Sequence, residues 1–303
     1  MKIYDCFMFF DEDLVLDLRL NYLANFVDKF VIIENTYNHK GEKRKLQFDI
    51  KNFKKFENKI IYLASDKIPN DIQEINTNDS EDRKYSKQII NALKRENSQR
   101  NQLEEGLSNA DQNDWIIISD IDEIPNLENL RMKDIKNKLL FFKQQMMYYK
   151  FNLRYENFVW VGSKACRKKD LISPQWLRNI KDRNYPWWRM DIYFSKLKYS
   201  NIKFVENGGW HFSYIKTPEL IEKKLKSYLH HIDYEINPIG VEGIKNMIKN
   251  RIAIYNLKDD KRSIKKIGSG EKLMKVSLNN LPDYISQNKL KFKKLCRKSW
   301  FSD

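Results

Sequence analysis

The chain has 303 residues, 41% hydrophobic and 13% aromatic, so it can bury a sizeable core and is too apolar to be disordered. No stretch approaches the roughly 20 apolar residues of a membrane span, and the short N-terminal apolar run predicts a first core strand rather than a signal peptide. The net charge of +15 indicates an anionic partner, but no nucleic-acid-binding motif accompanies it. Three widely spaced cysteines predict a reducing, cytoplasmic setting.

The first part of the chain alternates apolar runs with helical patterns. Strands are predicted at residues 3–10, 30–33, 59–63 and 115–118, with Asp11 as the N-cap of a first helix. A loop is predicted at residues 76–86 and a helix at residues 88–107, with Ile89 and Leu93 among its apolar positions. This alternation predicts an α/β fold, with a mostly parallel, Rossmann-like sheet flanked by helices.

The second part of the chain has a different texture. Aromatic-rich strands are predicted at residues 138–150 and 157–162, and a helix at about residues 217–231. Without repeats or an obvious linker, we expect one catalytic domain at residues 1–257 and a basic extension at residues 258–303. The extension mixes Lys and Arg with Leu, Phe and Trp, which is compatible with peripheral contact with an anionic membrane or with a solvated tail helix.

The most informative stretch lies at residues 115–125. Four apolar residues run directly into Asp120, Asp122 and Glu123, as at the end of a buried strand. Ligands of open α/β sheets bind outside the carboxyl ends of the strands. Two aspartates one residue apart can hold a divalent cation that also binds substrate phosphates, and a cation would relieve the repulsion among three acids. The alternative is a solvated turn with Asp as a cap.

With these residues, the chain resembles glycosyltransferase family 17. The resemblance rests on residues 5–12 with 30–35, on the Asp-x-Asp-Glu-Ile-Pro pattern at residues 120–125, on Pro-Gln-Trp-Leu-Arg at 174–178 and on Gly-Trp-His-Phe-Ser at 209–213. These segments occur in the family's order and extend to about residue 233. The basic C-terminus is not covered by them.

The resemblance implies a GT-A-like fold and an inverting transfer from a UDP-sugar, by analogy UDP-N-acetylglucosamine. It also implies a divalent metal, Mn²⁺ or Mg²⁺. The acceptor would be a hydroxyl of a glycan or glycolipid, whose identity the resemblance does not fix. No role for nucleic acid follows from it.

Each candidate residue has a functional and a structural interpretation. Asp122 is the expected direct metal ligand, with Asp120 binding the metal, a metal-bound water or the ribose, and His211 completing the site. A lone histidine between Trp210 and Phe212 could equally be a core residue. Donor binding is expected from residues that core packing or surface charge would also explain: Asp5, Glu34, Arg100, Asp120, Arg178 and Trp210.

An inverting transfer needs a general base to accept the proton of the attacking hydroxyl. Asp191 is the expected base, with Glu206 and Glu219 as alternatives, and Glu123 is expected to act as a base or as an anchor behind the metal ligands. A helix N-terminal acid is the structural alternative for Glu123.

Two other classes of function remain open from the residues. One is a metal-dependent phosphotransferase or nuclease that uses the same acids, although no further carboxylate cluster or nucleophile motif accompanies them. The other is a non-catalytic basic binding protein in which the acids are structural.

Overall fold

The computed structural model describes residues 1–227, 231–257 and 267–294, which form a sheet flanked by helices. The strands are β1 Ile3–Met8, β2 Lys29–Asn35, β3 Ile60–Ser65, β4 Trp115–Asp120, β5 Glu123–Pro125, β6 Leu139–Tyr148, β7 Leu153–Arg167, β8 Ile202–Val205, β9 Gly209–Ser213 and β10 Met274–Lys275. The helices are α1 Asp13–Leu23, α2 Glu81–Asn101, α3 Pro174–Asn179, α4 Pro218–Ser227, α5 His231–Ile236, α6 Gly240–Asn250, α7 Asp283–Gln287 and α8 Lys289–Lys294.

The sheet has a parallel part and a mixed part. Its main strand order is β3-β2-β1-β4-β7-β6-β9-β5, and the first four strands are parallel. β7 runs antiparallel to both β4 and β6, whereas β9 is parallel to β6 and β5 is antiparallel to β9. The predicted α/β class and the flanking helices are confirmed, and the parallel arrangement belongs mainly to the first half of the chain.

Alternation along the strands divides the core into clusters on the two faces of the sheet. Phe7 and Ile117 belong to one cluster, whereas their neighbours Cys6 and Ile116 belong to the other. The apolar run of β4 has no exposed surface, as expected for a strand covered on both faces. This burial fixes where β4 ends, and therefore where the following carboxylates emerge.

The predicted starts of two helices are wrong. α2 begins at Glu81, inside the predicted loop, because the Ser80 hydroxyl caps it by accepting a hydrogen bond from the Arg83 amide. α1 has Glu12 rather than Asp11 at its N-cap, and no side chain caps it. Asp11 instead forms an ion pair with Lys216.

The described part of the predicted basic extension packs on the rest of the chain. β10 pairs with β7, and Leu281, Ile285 and Phe292 are buried in the core cluster that contains Phe7. The rest of the predicted extension, residues 258–266 and 295–303, lies outside the described residues. Among the helices of the described ranges, none combines the length and the apolar character needed to cross a bilayer.

Candidate functional site

A cavity of about 300 Å³ lies where the carboxyl ends of β1 and β4 meet. These strands are parallel neighbours, and their register places Met8 beside Asp120, so both end at the same edge. The cavity wall carries many titratable groups, including Glu12, His39, Glu96, Asp120, Asp122 and His211. Such a concentration of charge in a cleft is typical of a functional site.

A buried arginine stabilises the turn between β4 and β5 from the protein interior. Arg19 of α1 has no exposed surface and forms an ion pair with the equally buried Asp5, with donor–acceptor distances of 2.6 and 2.7 Å. Its remaining terminal nitrogen donates to the carbonyl oxygens of Asp120, Ile121 and Glu123 at 2.7–3.0 Å. Asp5, expected to bind the donor, therefore supports the turn from the protein interior and does not line the cavity.

Asp120 lies between two arginines. Its Oδ1 accepts a hydrogen bond from Arg100 at 3.0 Å, and its Oδ2 accepts one from Arg178 at 3.1 Å. Burial disfavours the charged carboxylate, but the two guanidinium groups outweigh it and hold the pKa of Asp120 below its usual range. Asp120 is therefore an ionised carboxylate with a fixed orientation at the cavity wall.

Glu123 anchors this arrangement from behind. Its side chain has no exposed surface, and its oxygens accept hydrogen bonds from Arg178, from the Trp160 indole at 2.6 Å and from the Asp120 amide at 2.8 Å. Because Glu123 lies in β5, the alternative of a helix N-terminal acid is wrong. The contacts correspond to the expected anchor, and a proton-accepting role for Glu123 stays a prediction.

Strand β9 brings His211 to Asp122. His211 pairs with Glu123 across β5 and β9, and the Phe212 amide donates to the Asp122 carbonyl at 2.8 Å. The His211 Nε2 then lies 3.4 Å from Asp122 Oδ1. Burial alone would raise the pKa of Asp122 and lower that of His211, but their mutual attraction reverses both shifts.

A lysine of α4 contributes positive charge beside the acids of the cavity. The Lys224 Nζ lies 3.7 Å from Asp122 Oδ2 and 3.9 Å from Glu12 Oε1, while Lys216 lies 3.5 Å from Glu12. Burial disfavours charge on Lys224, yet Asp122 and Glu12 outweigh it and raise its pKa. The acids of the cavity are therefore balanced by cations from other parts of the chain.

The residues that could hold a metal ion are Asp122 and His211. Among the residues that the structure describes, no group of three or more His, Cys, Asp or Glu side chains is arranged to bind a metal. Asp122 and His211 are nevertheless adjacent oxygen and nitrogen donors, and the buried His211 Nδ1 has no hydrogen-bond partner. Such a pair fits a cation that takes its other ligands from substrate phosphates and water.

Two residues expected to bind the donor face away from the cavity. Glu34 has no exposed surface, because it accepts hydrogen bonds from the Gln47 and Phe48 amides and forms an ion pair with Arg44 at 2.8 Å. Trp210 packs edge-on against Tyr22 in the core, and its indole donates to the Asn280 carbonyl. Glu34 thus braces the arginine that lines the cavity, and Trp210 is a core residue.

Asp191, the expected base, lies in an exposed segment and not on the cavity wall. Its neighbours Trp187, Trp188, Met190 and Phe194 are also largely exposed. Hydrogen bonds from Arg189 and Lys198 lower the pKa of Asp191 to about 2. The general-base role of Asp191 stays a prediction.

The structure gathers most of the predicted site residues and adds others that no motif marked. Those it brings together are Arg100, Asp120, Asp122, Glu123, Arg178 and His211. Sequence reasoning missed Arg19, Trp160 and Lys224. Lys224 lies in a predicted helix next to Lys223 and Lys226, and its sequence context did not distinguish it from them.

Comparison with known proteins and protein families shows the family to which the chain belongs. No curated protein matches the chain. The profile of the family described as Glycosyltransferase family 17 matches residues 1–298, which include all of the site residues above and most of the basic C-terminal region. Because this match covers nearly the whole chain, the protein belongs to glycosyltransferase family 17.

Proposed function

We propose that the protein is an inverting, metal-dependent glycosyltransferase that moves N-acetylglucosamine from UDP-N-acetylglucosamine to a hydroxyl of a glycan. The observation that carries this proposal is the Asp122–His211 pair, beside an Asp120 that two arginines orient, in a cavity at the carboxyl ends of parallel strands. Family membership supports the glycosyl transfer itself. The donor, the metal and the stereochemistry are part of the proposal.

The roles of the residues follow from their contacts. Asp122 and His211 would hold Mn²⁺ or Mg²⁺, which supplies positive charge to the leaving diphosphate when it is bound. Asp120, kept ionised by Arg100 and Arg178, presents a fixed acceptor to the ribose or to a metal-bound water. Glu123 and Arg19 keep the turn in place, so the ligands need little rearrangement when the donor binds. Asp191 remains the proposed base.

Neither alternative class gains support from the site. A two-metal phosphotransferase or nuclease would need further carboxylates arranged as metal ligands, and in the described ranges no group of three or more potential ligand side chains is arranged to hold a metal. A purely structural role for the acids would not explain why Asp122 and His211 line an open cavity. Family membership also favours transfer of a sugar.

The test is calorimetric titration with UDP-N-acetylglucosamine, UDP-glucose and GDP-mannose, each with and without Mn²⁺. We expect Mn²⁺-dependent binding of one UDP-sugar, and Asp122→Asn should lower Mn²⁺-dependent donor hydrolysis roughly 100-fold, the scale on which one transition-state stabiliser acts. Asp134→Asn, an exposed change outside the cavity, is the matched control. Undiminished metal-dependent hydrolysis by Asp122→Asn would refute the metal assignment.

A further inference from the structure

A second depression, with a volume of about 750 Å³, opens beside the candidate donor cavity. The two share a wall formed by Phe10, Asn38, Arg44 and Ser227. The Arg44 guanidinium lies 4.2 Å from the centre of the Phe10 ring and is held from behind by Glu34. This shared wall is therefore fixed, and a molecule in the depression, here called the lysine groove, would lie next to the donor.

The acids of the lysine groove already have partners. Asp11 pairs with Lys216, and Glu42 accepts a hydrogen bond from Asn38. Glu219 lies 3.8 Å from Lys245, and Glu222 lies 3.1 Å from Lys226. Cations of the chain thus pair with three of these acids, and a neutral amide donor contacts the fourth.

Three of its lysines do not have such partners. Lys43 and Lys45 come from the loop after β2, and Lys223 comes from α4, so two separate elements contribute them. All three side chains are exposed, and within the described ranges their ammonium groups have no hydrogen-bond or ion-pair partner. The groove therefore carries an excess of positive charge that the chain itself does not neutralise.

We propose that the lysine groove binds the acceptor and that this acceptor is an acidic saccharide, bearing a phosphate or a carboxylate. The inference rests on the proposed function, because it takes the neighbouring cavity as the donor site. An acceptor must reach the anomeric carbon of a bound donor, and the shared wall gives a molecule in the groove that position. Three uncompensated ammonium groups would select an anionic saccharide over a neutral one.

The charge of the donor cavity separates the two sites. Its acids are where the proposed metal and diphosphate would bind, whereas the three free lysines line only the groove and not that cavity. Substituting them should therefore change acceptor recognition and leave nucleotide binding intact. That difference makes the proposal testable before the natural acceptor is known.

The experiment is calorimetric titration of the full chain, saturated with UDP and Mn²⁺, using two matched pairs of probes. Trigalacturonate is compared with neutral maltotriose, and mannose 6-phosphate with mannose, so that the arms distinguish carboxylate from phosphate. The test variant is Lys43→Gln/Lys45→Gln/Lys223→Gln. The control variant, Lys54→Gln/Lys133→Gln/Lys136→Gln, removes the same charge from exposed lysines outside both depressions.

We expect an acidic probe to bind more tightly than its neutral partner. Because exposed charge contacts are individually weak, the test variant should lose affinity roughly tenfold in total, and the control variant should lose less than about twofold. UDP affinity should be the same in all three proteins. If UDP does not bind at all, the proposed function fails, and the probes are titrated without it, so the lysine groove is still tested.

Three outcomes would overturn the proposal. Equal binding of acidic and neutral probes, or no binding of either acidic probe, would show that the groove does not select anions. Equal losses in the test and control variants would show that diffuse charge, and not the groove, attracts the probes. A loss of UDP affinity in the test variant would assign the lysines to the donor site.

Discussion

At the scale of single residues, Asp120 shows how the chain keeps a carboxylate charged in a confined site. Each of its oxygens faces a different arginine, and Arg178 in turn is anchored by the buried Glu123. Burial of the Arg178 guanidinium would lower its pKa, but Glu123 and Asp120 outweigh it and raise that pKa. The charges of Asp120 and Arg178 thus stabilise each other, and the geometry of the Arg178 guanidinium matters as much as its positive charge.

Arg178→Lys tests this dependence. Lysine keeps the charge but loses the planar fork that contacts both Glu123 and Asp120, so buried lone pairs of Glu123 lose a partner. We expect a loss of about 1–3 kcal/mol in the free energy of unfolding and a fall in donor hydrolysis of roughly 10-fold or more. Urea unfolding and a hydrolysis assay with Mn²⁺ measure the two effects.

Arg183→Lys is the control for Arg178→Lys. Arg183 is exposed, and its guanidinium lies over the Tyr185 ring, 4.6 Å from its centre. This variant should change the free energy of unfolding by less than about 1 kcal/mol. If both lysine variants were equally stable and active, the fork geometry at Arg178 would not matter.

The site residues differ in how far a sequence can predict them. Asp120 and Asp122 follow a buried run, so their place at the sheet edge follows from local pattern alone. Arg19 lies on an otherwise apolar helix face, and Trp160 lies in a long strand with no motif around it. The hydrogen bonds that join them to Glu123 span more than 30 residues of chain, and nothing in their local sequence signals those contacts.

At the scale of elements, the backbone conformation at position 209 explains why a glycine precedes Trp210 and His211. It has φ of +123°, a region that side chains disfavour, and it starts β9 opposite Pro125 of β5. A Cβ there would collide with the Ile124 carbonyl and the Asn126 amide, which are backbone atoms that cannot move aside singly. The close approach of β5 and β9 is what brings His211 to Asp122.

Gly209→Ala should therefore damage both the fold and the site. We expect a loss of more than about 3 kcal/mol in the free energy of unfolding, since backbone strain and a backbone clash act together. Gly240→Ala is the matched control: its φ is +72°, but the space around its Cβ is empty, so only strain of about 1–2 kcal/mol applies. Equal losses in the free energy of unfolding, measured with urea, would show that the close contact between β5 and β9 adds nothing to the cost of Gly209→Ala.

Elements made of apolar residues are predicted correctly from the sequence, whereas the buried face of a helix that buries polar side chains is not. Strands β1, β2 and β4 are predicted to within a few residues because each contains a run of buried apolar residues, and β3, whose apolar residues are half-buried, is predicted equally closely. Of the apolar positions predicted for the helix at residues 88–107, Ile89 and Leu93 are exposed, whereas Leu103 and Leu107 are buried just after α2 ends. The buried face of α2 instead includes Asn91, Gln99 and Arg100, because part of this helix faces the charged site.

At the scale of the whole molecule, the C-terminal region is partly integral to the core. The Phe292 ring lies 5.3 Å from that of Phe151 and 5.9 Å from that of Tyr284, and its side chain has no exposed surface. A positively charged sequence predicts a solvated or membrane-facing segment, because local pattern does not reveal that one aromatic side chain is inserted into the core. Any test of membrane contact must therefore separate charge from packing.

Two deletions make that separation. Deleting residues 289–303 removes α8 and Phe292, whereas deleting residues 295–303 keeps both. Loss of a buried phenylalanine costs about 3–5 kcal/mol, so the longer deletion should be less stable than the shorter one by about that amount, and Phe292→Ala alone should show a comparable loss. Urea unfolding measures the difference, and Leu290→Ala, an exposed change in α8, is the control.

The same two deletions test the predicted contact of the basic tail with an anionic membrane. If the basic tail contacts an anionic bilayer, the stable shorter deletion should already weaken sedimentation with vesicles that contain phosphatidylglycerol, while donor hydrolysis is unchanged. Vesicle binding that falls only with the longer deletion would follow from unfolding and would not support membrane contact. If Phe292→Ala were as stable as the unmodified chain, the Phe292 side chain would not stabilise the core, and the longer deletion would be an equally valid test of membrane contact.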